Sequence, residues 1–352
     1  MMKYWSERTK RCTPYIPGEQ INDPAIIKLN TNENPYPPSP RVKEAIQQEM
    51  ENSLHRYPSS TLDSLRKVIA RQEKVQKENV FVGNGSDEVL AFAFMAFFSP
   101  DKAIRFPAIT YSFYPVYANL FQIPFEEIPL KRDFTINEHD FFRSVGGVIL
   151  PNPNAPTSIY TSLECIEAII KNNPDHVVII DEAYVDFAPG TAVSLINRYD
   201  NLLIVKTLSK SRSLAGLRVG YAIGHKHLME ALIRIKDSFN SYTVDRLAIV
   251  GAKAAMEDTS YFAETTAKII QTRNWVVTEM EKRGFFVLPS ATNFIFAHSP
   301  DYDAEMLYQQ LKAKNILIRY FKKPTIDQYV RISIGTDNMM KKFFQQVDEI
   351  IG

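Results

Sequence analysis

The sequence predicts an α/β fold, with a large domain built on a mostly parallel sheet flanked by helices and a smaller α+β domain at the carboxyl end. Short apolar runs alternate with helical stretches between residue 39 and about residue 240. Several of these runs are apolar at every position, as in strands that are covered on both faces. After about residue 240, a long helical stretch, paired strands and further helices indicate a separate small domain.

The predicted elements follow one another as arm, large domain and small domain. Residues 1–38 are predicted to form an N-terminal arm and linker, because the stretch 34–40 contains too many prolines for a helix. Ser39 can cap a helix with Pro40 at its first position, so the large cofactor-binding domain is predicted over 39–240 and the small C-terminal domain over 241–352. Strands are expected at the apolar runs of both domains, namely 80–82, 102–106, 147–150, 177–180, 202–205, 219–223, 285–288, 293–297, 316–319 and 329–334.

Composition and charge argue against several classes of protein. The 352 residues carry 41 Lys and Arg against 40 Asp and Glu, so neither nucleic acid nor a membrane surface is an expected partner. The longest apolar run, 89–98, is too short to span a bilayer, and the first residues lack the apolar core of a signal peptide. Two cysteines cannot form a disulfide framework, and the histidines lack the spacing of a zinc site. We therefore expect a cytoplasmic protein without a metal.

The segment 207–221 is the first candidate for chemistry, and it follows a predicted buried strand. Lys210 lies there in a loop of small hydroxylated residues, and Arg218 comes just before the next strand. A lysine with small neighbours can reach an aldehyde and form a Schiff base, and Thr207, Ser209 and Arg218 together could hold a phosphate. The alternative is a solvated loop with an ordinary lysine and arginine.

The segment 177–187 places an acid directly after four apolar residues. Asp181 would therefore lie at the carboxyl end of a buried parallel strand, where α/β sheets bind ligands. A buried carboxylate is costly unless it meets a cation, and a protonated pyridine nitrogen would be one. The alternatives are a helix cap and a core aspartate paired with an arginine.

Two further loops also follow predicted strands. In the segment 82–88, a glycine-rich turn leads into a helix at Ser86 and Asp87, whose free amide groups favour a phosphate; an ordinary strand–helix turn is the alternative. In the segment 150–157, Asn152 or Asn154 could bond a ring substituent, or could simply serve the turns of a proline-rich loop. The four segments together offer an amine, a carboxylate, a phosphate cradle and an amide, which is the set that pyridoxal phosphate requires.

These segments also carry a resemblance that covers nearly all of the chain. Together with the stretches 13–18, 29–35, 56–58, 319–321 and 330–336, they resemble the fold type I pyridoxal-phosphate aminotransferases of class I and II. Within that family the chain is most similar to the histidinol-phosphate aminotransferases. The resemblance implies a ping-pong transfer through a lysine aldimine, between glutamate or 2-oxoglutarate and histidinol phosphate or imidazole acetol phosphate, in histidine biosynthesis.

The resemblance also implies a role for each matching residue. Lys210 would hold the cofactor as an aldimine and carry the proton, Asp181 would keep the ring nitrogen protonated, and Tyr184 would bond the ring hydroxyl. Tyr111 would stack on the ring, and Asn154 would be a cofactor contact. The phosphate would be bound by Ser86, Asp87, Thr207, Ser209 and Arg218, with Tyr57 reaching in from the second subunit of a homodimer. The substrate would be bound by Tyr15, Asn32, Arg319 and Arg331.

One loop departs from the family pattern, and three alternative functions stay open. The family commonly has Asn directly before Pro-Thr-Gly, but here Ala155 holds that position and Ser158 replaces the glycine. Asn154 or Asn152 would then take over the ring contact, or Tyr184 would make it alone. The alternatives are a threonine-phosphate decarboxylase, an aromatic amino acid aminotransferase and, more remotely, a non-catalytic cofactor-binding sensor. Tyr111, Tyr114 and Tyr117 are three apart and are predicted to share a helix face, and only Tyr111 takes a functional role.

Overall fold

The computed structural model describes residues 3–21, 23–51 and 54–352, so residues 1, 2 and 22 of the predicted arm lie outside it. The helices are α1 (Glu7–Arg11), α2 (Pro40–Met50), α3 (Asp63–Glu73), α4 (Gly85–Phe97), α5 (Phe113–Phe121), α6 (Leu163–Lys171), α7 (Lys226–Phe239), α8 (Arg246–Glu257), α9 (Thr259–Lys282), α10 (Ala304–Ala313) and α11 (Asp337–Ile351). The strands are β1 (Ile27–Lys28), β2 (Val80–Asn84), β3 (Ile104–Pro107), β4 (Phe125–Ile128), β5 (Val148–Pro151), β6 (Val178–Asp181), β7 (Leu202–Thr207), β8 (Val219–Gly224), β9 (Phe286–Val287), β10 (Phe294–His298), β11 (Ile316–Leu317), β12 (Arg319–Tyr320) and β13 (Val330–Ser333).

A seven-stranded sheet forms the centre of the large domain, in the order β2-β8-β7-β6-β5-β3-β4. The strands from β7 to β4 run parallel, whereas β8 is antiparallel to both of its neighbours. Every residue of β5, β6, β7 and β8 is buried. The prediction of a mostly parallel sheet with both faces covered is therefore confirmed, and the antiparallel β8 is an addition that its apolar pattern did not reveal.

Helices cover the two faces of this sheet, and the alternation of side chains divides the strands between two cores. On one face, Val178 and Ile180 of β6 pack with α2, α3, α6 and α8. On the other face, Ile179 packs with α4, α5 and α7. Successive strand residues point to opposite faces, so one short strand supports both cores. The same alternation directs Asp181 and Glu182, at the end of β6, to opposite faces of the sheet.

The C-terminal part of the chain builds a second core around an antiparallel sheet. Its strand order is β12-β13-β10-β9, and α9, α10 and α11 pack on it. Helix α8, however, packs against α2 and belongs to the core of the large sheet. The division of the chain at residue 240 stays a prediction, and this packing favours a boundary between α8 and α9.

Two short pairings lie outside the predicted pattern. The linker contributes β1, which pairs in parallel with β11 in a separate two-stranded sheet and so connects the arm to the C-terminal part of the chain. The single strand predicted over 316–319 is divided, because β11 pairs with β1 whereas β12 joins the four-stranded sheet. Among the described residues, no helix is both long and apolar enough to cross a membrane.

Candidate active site

A cavity of about 500 Å³ lies at the carboxyl ends of the parallel strands, between the sheet, the linker and the small domain. The crossover connections of parallel strands leave loops at this edge, which is why such sheets bind ligands there. The structure brings most of the predicted site residues together on its wall: Tyr15, Asn32, Ser86, Asp87, Tyr111, Asp181, Tyr184, Thr207, Ser209, Lys210, Arg218, Arg319 and Arg331.

Lys210 lies three residues beyond the end of β7, with its amine directed into this cavity. Its Nζ donates a hydrogen bond to the carbonyl of Thr31 at 3.2 Å. Asn34 holds the lysine loop in place, since its Nδ2 donates to the carbonyls of Lys210 and Ser211 at 2.9 and 3.2 Å. The reactive amine is therefore fixed between the sheet edge and the linker, and it remains accessible from the cavity.

Asp181 is the last residue of β6 and is 4 % exposed. The Tyr114 hydroxyl donates to its Oδ2 at 2.8 Å, and the backbone N–H of Ala183 donates to its Oδ1 at 3.2 Å. Burial raises the pKa of Asp181 to about 6. No cationic side chain in the described ranges pairs with it. A buried acid without a cation can accept a ligand that carries one, such as a protonated ring nitrogen.

The start of α4 forms an anion cradle that depends on glycine. Gly85 has a φ of +79°, and a Cβ at this position would lie 2.6 Å from Nη2 of Arg218. A Cβ at Gly220 would come within 2.3 Å of the backbone nitrogen of Ser86. The two glycines therefore let Arg218 and the free amides of the helix start approach one another, which is the arrangement that binds a phosphate.

Hydroxyl groups and one carboxylate complete this cradle. Thr207 Oγ1 and Ser209 Oγ lie 3.0 Å apart, and Arg218 Nη1 donates to Ser209 at 3.5 Å. Asp87 accepts from Arg218 Nη2 and from the Tyr111 hydroxyl, both at 2.8 Å. A carboxylate repels a phosphate, so the side chain of Asp87 acts by orienting Arg218 and Tyr111, while its backbone amide lies in the first turn of α4, where an anion would bind.

Two arginines face the cavity from the small sheet. Arg319 of β12 and Arg331 of β13 are direct cross-strand partners. Arg331 donates from Nη2 to the carbonyl of Asn30 at 2.8 Å, but its buried Nε has no hydrogen-bond partner. Burial lowers the pKa of Arg331. Within the described ranges neither arginine forms an ion pair, so the pair is available for an anionic ligand.

Aromatic residues and an asparagine form the rest of the wall. Tyr15 of the arm stacks on Phe113, with ring centroids 4.3 Å apart. Tyr184 packs edge-on against Phe294, and its hydroxyl accepts a hydrogen bond from Asn32 Nδ2 at 3.0 Å. The side chain of Asn32, predicted to contact substrate, is therefore engaged with Tyr184.

Two predicted residues lie outside the cavity wall. Both amide hydrogens of Asn154 are used, because Nδ2 donates to the carbonyl of Ile109 at 3.0 Å and to Thr157 Oγ1 at 2.8 Å. Asn154 instead lines a separate, smaller cavity. Tyr57 is 77 % exposed and stacks on Tyr242, with centroids 4.7 Å apart.

The loop around Asn154 is fixed in this arrangement by its neighbours. Asn152 is fully buried and exchanges hydrogen bonds with the backbone of Thr161 at 2.8 and 2.9 Å. Its amide is therefore no more available to a ligand than that of Asn154. The loop instead lines the cavity with Ala155 and Pro156.

Sequence reasoning missed the part that Tyr114 takes in this site. The spacing of the tyrosines suggested only a shared helix face, and no local signal connects Tyr114 to an aspartate 67 residues away. Tyr111 in fact lies before α5, and its ring meets that of Tyr114 edge-on at 5.7 Å.

Comparison with known proteins gives this geometry a family context. The family model described as aminotransferase class I and II matches residues 24–347. A protein of Oceanobacillus iheyensis named histidinol-phosphate aminotransferase 1 is 54% identical over 351 residues, covering 100% of this chain and 99% of its own. A histidinol-phosphate aminotransferase of Clostridium acetobutylicum is 55% identical and covers 100% of both chains.

Solved structures show the same fold at lower identity. The histidinol-phosphate aminotransferase of Sinorhizobium meliloti, in complex with pyridoxal-5'-phosphate, superimposes with a TM-score of 0.90 at 23% identity, covering 99% of this chain and 98% of its own. An L-threonine-O-3-phosphate decarboxylase from Porphyromonas gingivalis gives 0.78 at 21% identity, covering 93% and 99%. The fold alone therefore does not separate these two reactions.

Proposed function

The chain belongs to the class I and II aminotransferases, and on that basis we propose that it works as a histidinol-phosphate aminotransferase with pyridoxal phosphate as its cofactor. It transfers an amino group between glutamate and imidazole acetol phosphate, giving 2-oxoglutarate and histidinol phosphate in histidine biosynthesis. The observation that carries the proposal is the full-length identity, above one half, to two relatives that bear this name. The decarboxylase, aromatic aminotransferase and sensor alternatives have no comparable support.

The cavity fits the cofactor. The cradle at the start of α4 suits its phosphate, the uncompensated Asp181 suits its ring nitrogen, and Lys210 lies between them. When bound, pyridoxal phosphate supplies a carbonyl group that condenses with amines and a ring that accepts the electrons of a carbanion. Tyr111 would cover the ring face, and Tyr184 would meet the ring hydroxyl.

The chain's own residues then divide the work of proton transfer. Lys210 would carry the proton between the substrate carbon and the cofactor carbon, and the Thr31 carbonyl accepts a hydrogen bond from its free amine. Asp181 would hold a proton at the ring nitrogen, and the hydrogen bond from Tyr114 favours the charged form of its carboxylate.

The two arginines suit both substrates of the proposed reaction. Each substrate carries an anionic group distant from the reacting amine, either the second carboxylate of glutamate or the phosphate of histidinol phosphate. Arg319 and Arg331 lie side by side with no acidic partner in the described part of the chain, and their forked donors match two oxygens of either group. Tyr15 of the arm stands beside the same cavity as a further donor.

We further propose a cytoplasmic homodimer with shared active sites. Tyr57 is not among the residues that line its own cavity; it is exposed and stacks on Tyr242, as expected for a residue that reaches a partner's phosphate cradle. Arg246 fixes this loop by donating to the carbonyls of Arg56 and Tyr57 at 3.1 and 2.9 Å. Sedimentation at twice the chain mass is expected, and a fully active monomer would contradict the proposal.

A half-reaction tests the proposed activity directly. The purified, cofactor-loaded protein is mixed with histidinol phosphate in the absence of an oxo acid, and the cofactor's absorption spectrum is followed. Conversion of the cofactor to its amino form is expected. No conversion with intact cofactor absorption would reject this substrate, and release of carbon dioxide from threonine phosphate would establish the decarboxylase instead.

A variant of one arginine sharpens the substrate assignment. Arg319→Gln removes a charge that faces the substrate anion, so we expect the KM for histidinol phosphate to rise about tenfold to a hundredfold. Phenylalanine, which has no distal anion, serves as the matched substrate and should be affected far less. An equal loss for both substrates would show that Arg319 does not recognise the phosphate.

A further inference from the structure

A short chain of hydrogen bonds at the cavity wall connects the linker, the small sheet and Tyr184. The backbone N–H of Asn32 donates to Ser333 Oγ at 2.9 Å, and the Ser333 hydroxyl donates to Asn32 Oδ1 at 3.0 Å. Asn32 Nδ2 then donates to the Tyr184 hydroxyl oxygen at 3.0 Å. Asn32 and Ser333 are 1 % and 2 % exposed, so water does not supply alternative partners.

The surroundings of this chain fix its direction. If the Asn32 amide were turned over, the Ser333 hydrogen would lose its acceptor in a buried site, which is costly. The position of the asparagine is also fixed, because Asn293 Nδ2 donates to its backbone carbonyl at 2.9 Å. Since the amide presents a hydrogen to the Tyr184 oxygen, the tyrosine's own hydrogen must point elsewhere, and the cavity is the open side.

We propose that Asn32 is a positioning residue that directs the Tyr184 hydroxyl hydrogen toward the ring oxygen of the cofactor, with Ser333 holding the Asn32 amide in the required orientation. This deepens the proposed function and rests on its cofactor. Asn32 would then support a catalytic tyrosine rather than contact the substrate, and Ser333 would belong to the same hydrogen-bond chain.

The arrangement compensates for the unusual loop at residues 154–158. Both amide hydrogens of Asn154 are used, one by Thr157 of that loop and one by the carbonyl of Ile109, so Tyr184 is left as the donor to the ring oxygen. A hydroxyl that itself accepts a hydrogen bond is a stronger donor, because hydrogen bonds in a chain polarise one another. Asn32 therefore acts on the ring oxygen indirectly, through Tyr184.

The test uses the pH midpoint of the bound cofactor's visible absorption, which requires no substrate. A ring oxygen without a donor holds the proton it shares with the neighbouring nitrogen more tightly, so the midpoint moves to higher pH. Asn32→Asp has the same shape but only accepts, which turns the Tyr184 hydrogen away from the cofactor. We expect its midpoint to rise by about one pH unit. Asn32→Leu and Ser333→Ala should show smaller rises.

The double variant distinguishes action through Tyr184 from a direct effect. Tyr184→Phe alone should raise the midpoint, and adding Asn32→Leu should change it no further, because the intermediary is already lost. Asn119→Asp, on the exposed side of α5, is the surface control and should match the unsubstituted protein.

Additive shifts, or an unchanged midpoint in Asn32→Asp with the cofactor bound, would overturn the proposal. An unchanged midpoint in Asn32→Leu together with a KM for histidinol phosphate raised about tenfold or more would also overturn it, and would return Asn32 to substrate binding. The absorption readout is separate from the half-reaction, so a failed substrate assignment would leave this result interpretable. Failure of the unsubstituted protein to bind the cofactor would instead reject the proposed function.

Discussion

Asp181 and Glu182 are consecutive buried acids at the end of β6, yet they face opposite sides of the large sheet. Asp181 faces the cavity and Glu182 faces the helices on the other side. Burial raises the pKa of Asp181 to about 6 and that of Glu182 to about 7. Two chemically similar carboxyl groups at adjacent positions therefore lie in two different environments.

On the side of Glu182, every charged group has partners within the protein. Lys206 Nζ donates to both oxygens of Glu73 at 2.9 Å and lies 3.9 Å from Glu182. The Tyr221 hydroxyl donates to Glu73 at 2.6 Å. Glu182 accepts from the Thr191 hydroxyl at 2.5 Å and from the backbone N–H of Ala192 at 2.6 Å.

On the side of Asp181, the partners are incomplete. Among the residues that the structure describes, Asp181 has two donors but no cation, and the buried Nε of Arg331 has no hydrogen-bond partner. Burying unpaired polar groups destabilises a fold, so such groups persist where a ligand completes them. The two faces of one sheet edge therefore have different functions. The hydrogen bonds and ion pairs on the Glu182 side stabilise the fold, whereas the Asp181 side leaves positions for a cofactor and a substrate.

Substitutions of Lys206 in β7 and of Lys210 in the loop after it should give the largest contrast between the Glu182 side and the Asp181 side. Lys210→Ala removes the amine of the cavity, so we expect kcat to fall at least about a thousandfold with little change in unfolding free energy. Lys206→Met leaves the buried Glu182 and the partly buried Glu73 without their cation and should cost about 3–5 kcal/mol of unfolding free energy. Urea unfolding and steady-state kinetics of both variants measure the contrast. A Lys206→Met protein that is stable but inactive would contradict the expected contrast between the two lysines.

The neighbouring acids should give the next largest contrast. Asp181→Asn removes the counter-charge of the ring nitrogen, and we expect kcat to fall about a hundredfold or more. Glu182→Gln keeps a hydrogen-bond acceptor, and Lys206 keeps Glu73, so its kcat should stay near that of the unsubstituted enzyme. Comparable kinetic losses in the two variants would show that the far side of the sheet takes part in catalysis.

The pH dependence of stability distinguishes the same two acids. The folded protein holds the Glu182 proton up to about pH 7, whereas the unfolded chain releases it near the ordinary value of 4.5. The folded state therefore binds more protons in this window, and the unfolding free energy should fall by about 3 kcal/mol as the pH rises through it.

Substitution of each acid should flatten this curve under different conditions. Glu182→Gln should flatten it with or without cofactor. Asp181→Asn should flatten it chiefly in the cofactor-free protein, because the protonated ring nitrogen compensates Asp181 when the cofactor is bound. Denaturant titrations at several pH values test both expectations, and an unflattened curve for Glu182→Gln would exclude Glu182 as the source of the fall.

Two tyrosines offer the smallest and most closely matched contrast, because each is buried and donates a hydrogen bond to a carboxylate. Tyr114→Phe removes a hydrogen bond that lowers the pKa of Asp181, so kcat should fall about tenfold and the acid limb of its pH profile should move to higher pH. Tyr221→Phe should cost about 1–1.5 kcal/mol of unfolding free energy and leave kcat and its pH profile unchanged. An unshifted profile in Tyr114→Phe would assign Tyr114 a packing role only.

Much of the fold and of the candidate site was predictable because its signals are local. The buried strands appear as apolar runs, and Lys210, Asp181 and Ser86 each follow such a run within a few residues. Parallel strands bring these ends to one edge, so their convergence follows from the pattern itself. The division of β11 from β12 was not predictable, because two adjacent dipeptides pair with partners in different sheets.

The sequence by itself determined the fold class, the likeness to a family and the residue types at the cavity, because short apolar runs and loop motifs carry that information. Tertiary structure alone decided which side chains keep free donors and acceptors. It engaged the Asn154 amide with Thr157 and with the distant carbonyl of Ile109, and it joined Asn32 to Ser333 across 301 residues. It also joined Tyr114 to Asp181 across 67 residues. A hydrogen bond depends on atoms that only folding brings within about 3 Å of each other, so no local pattern can specify it.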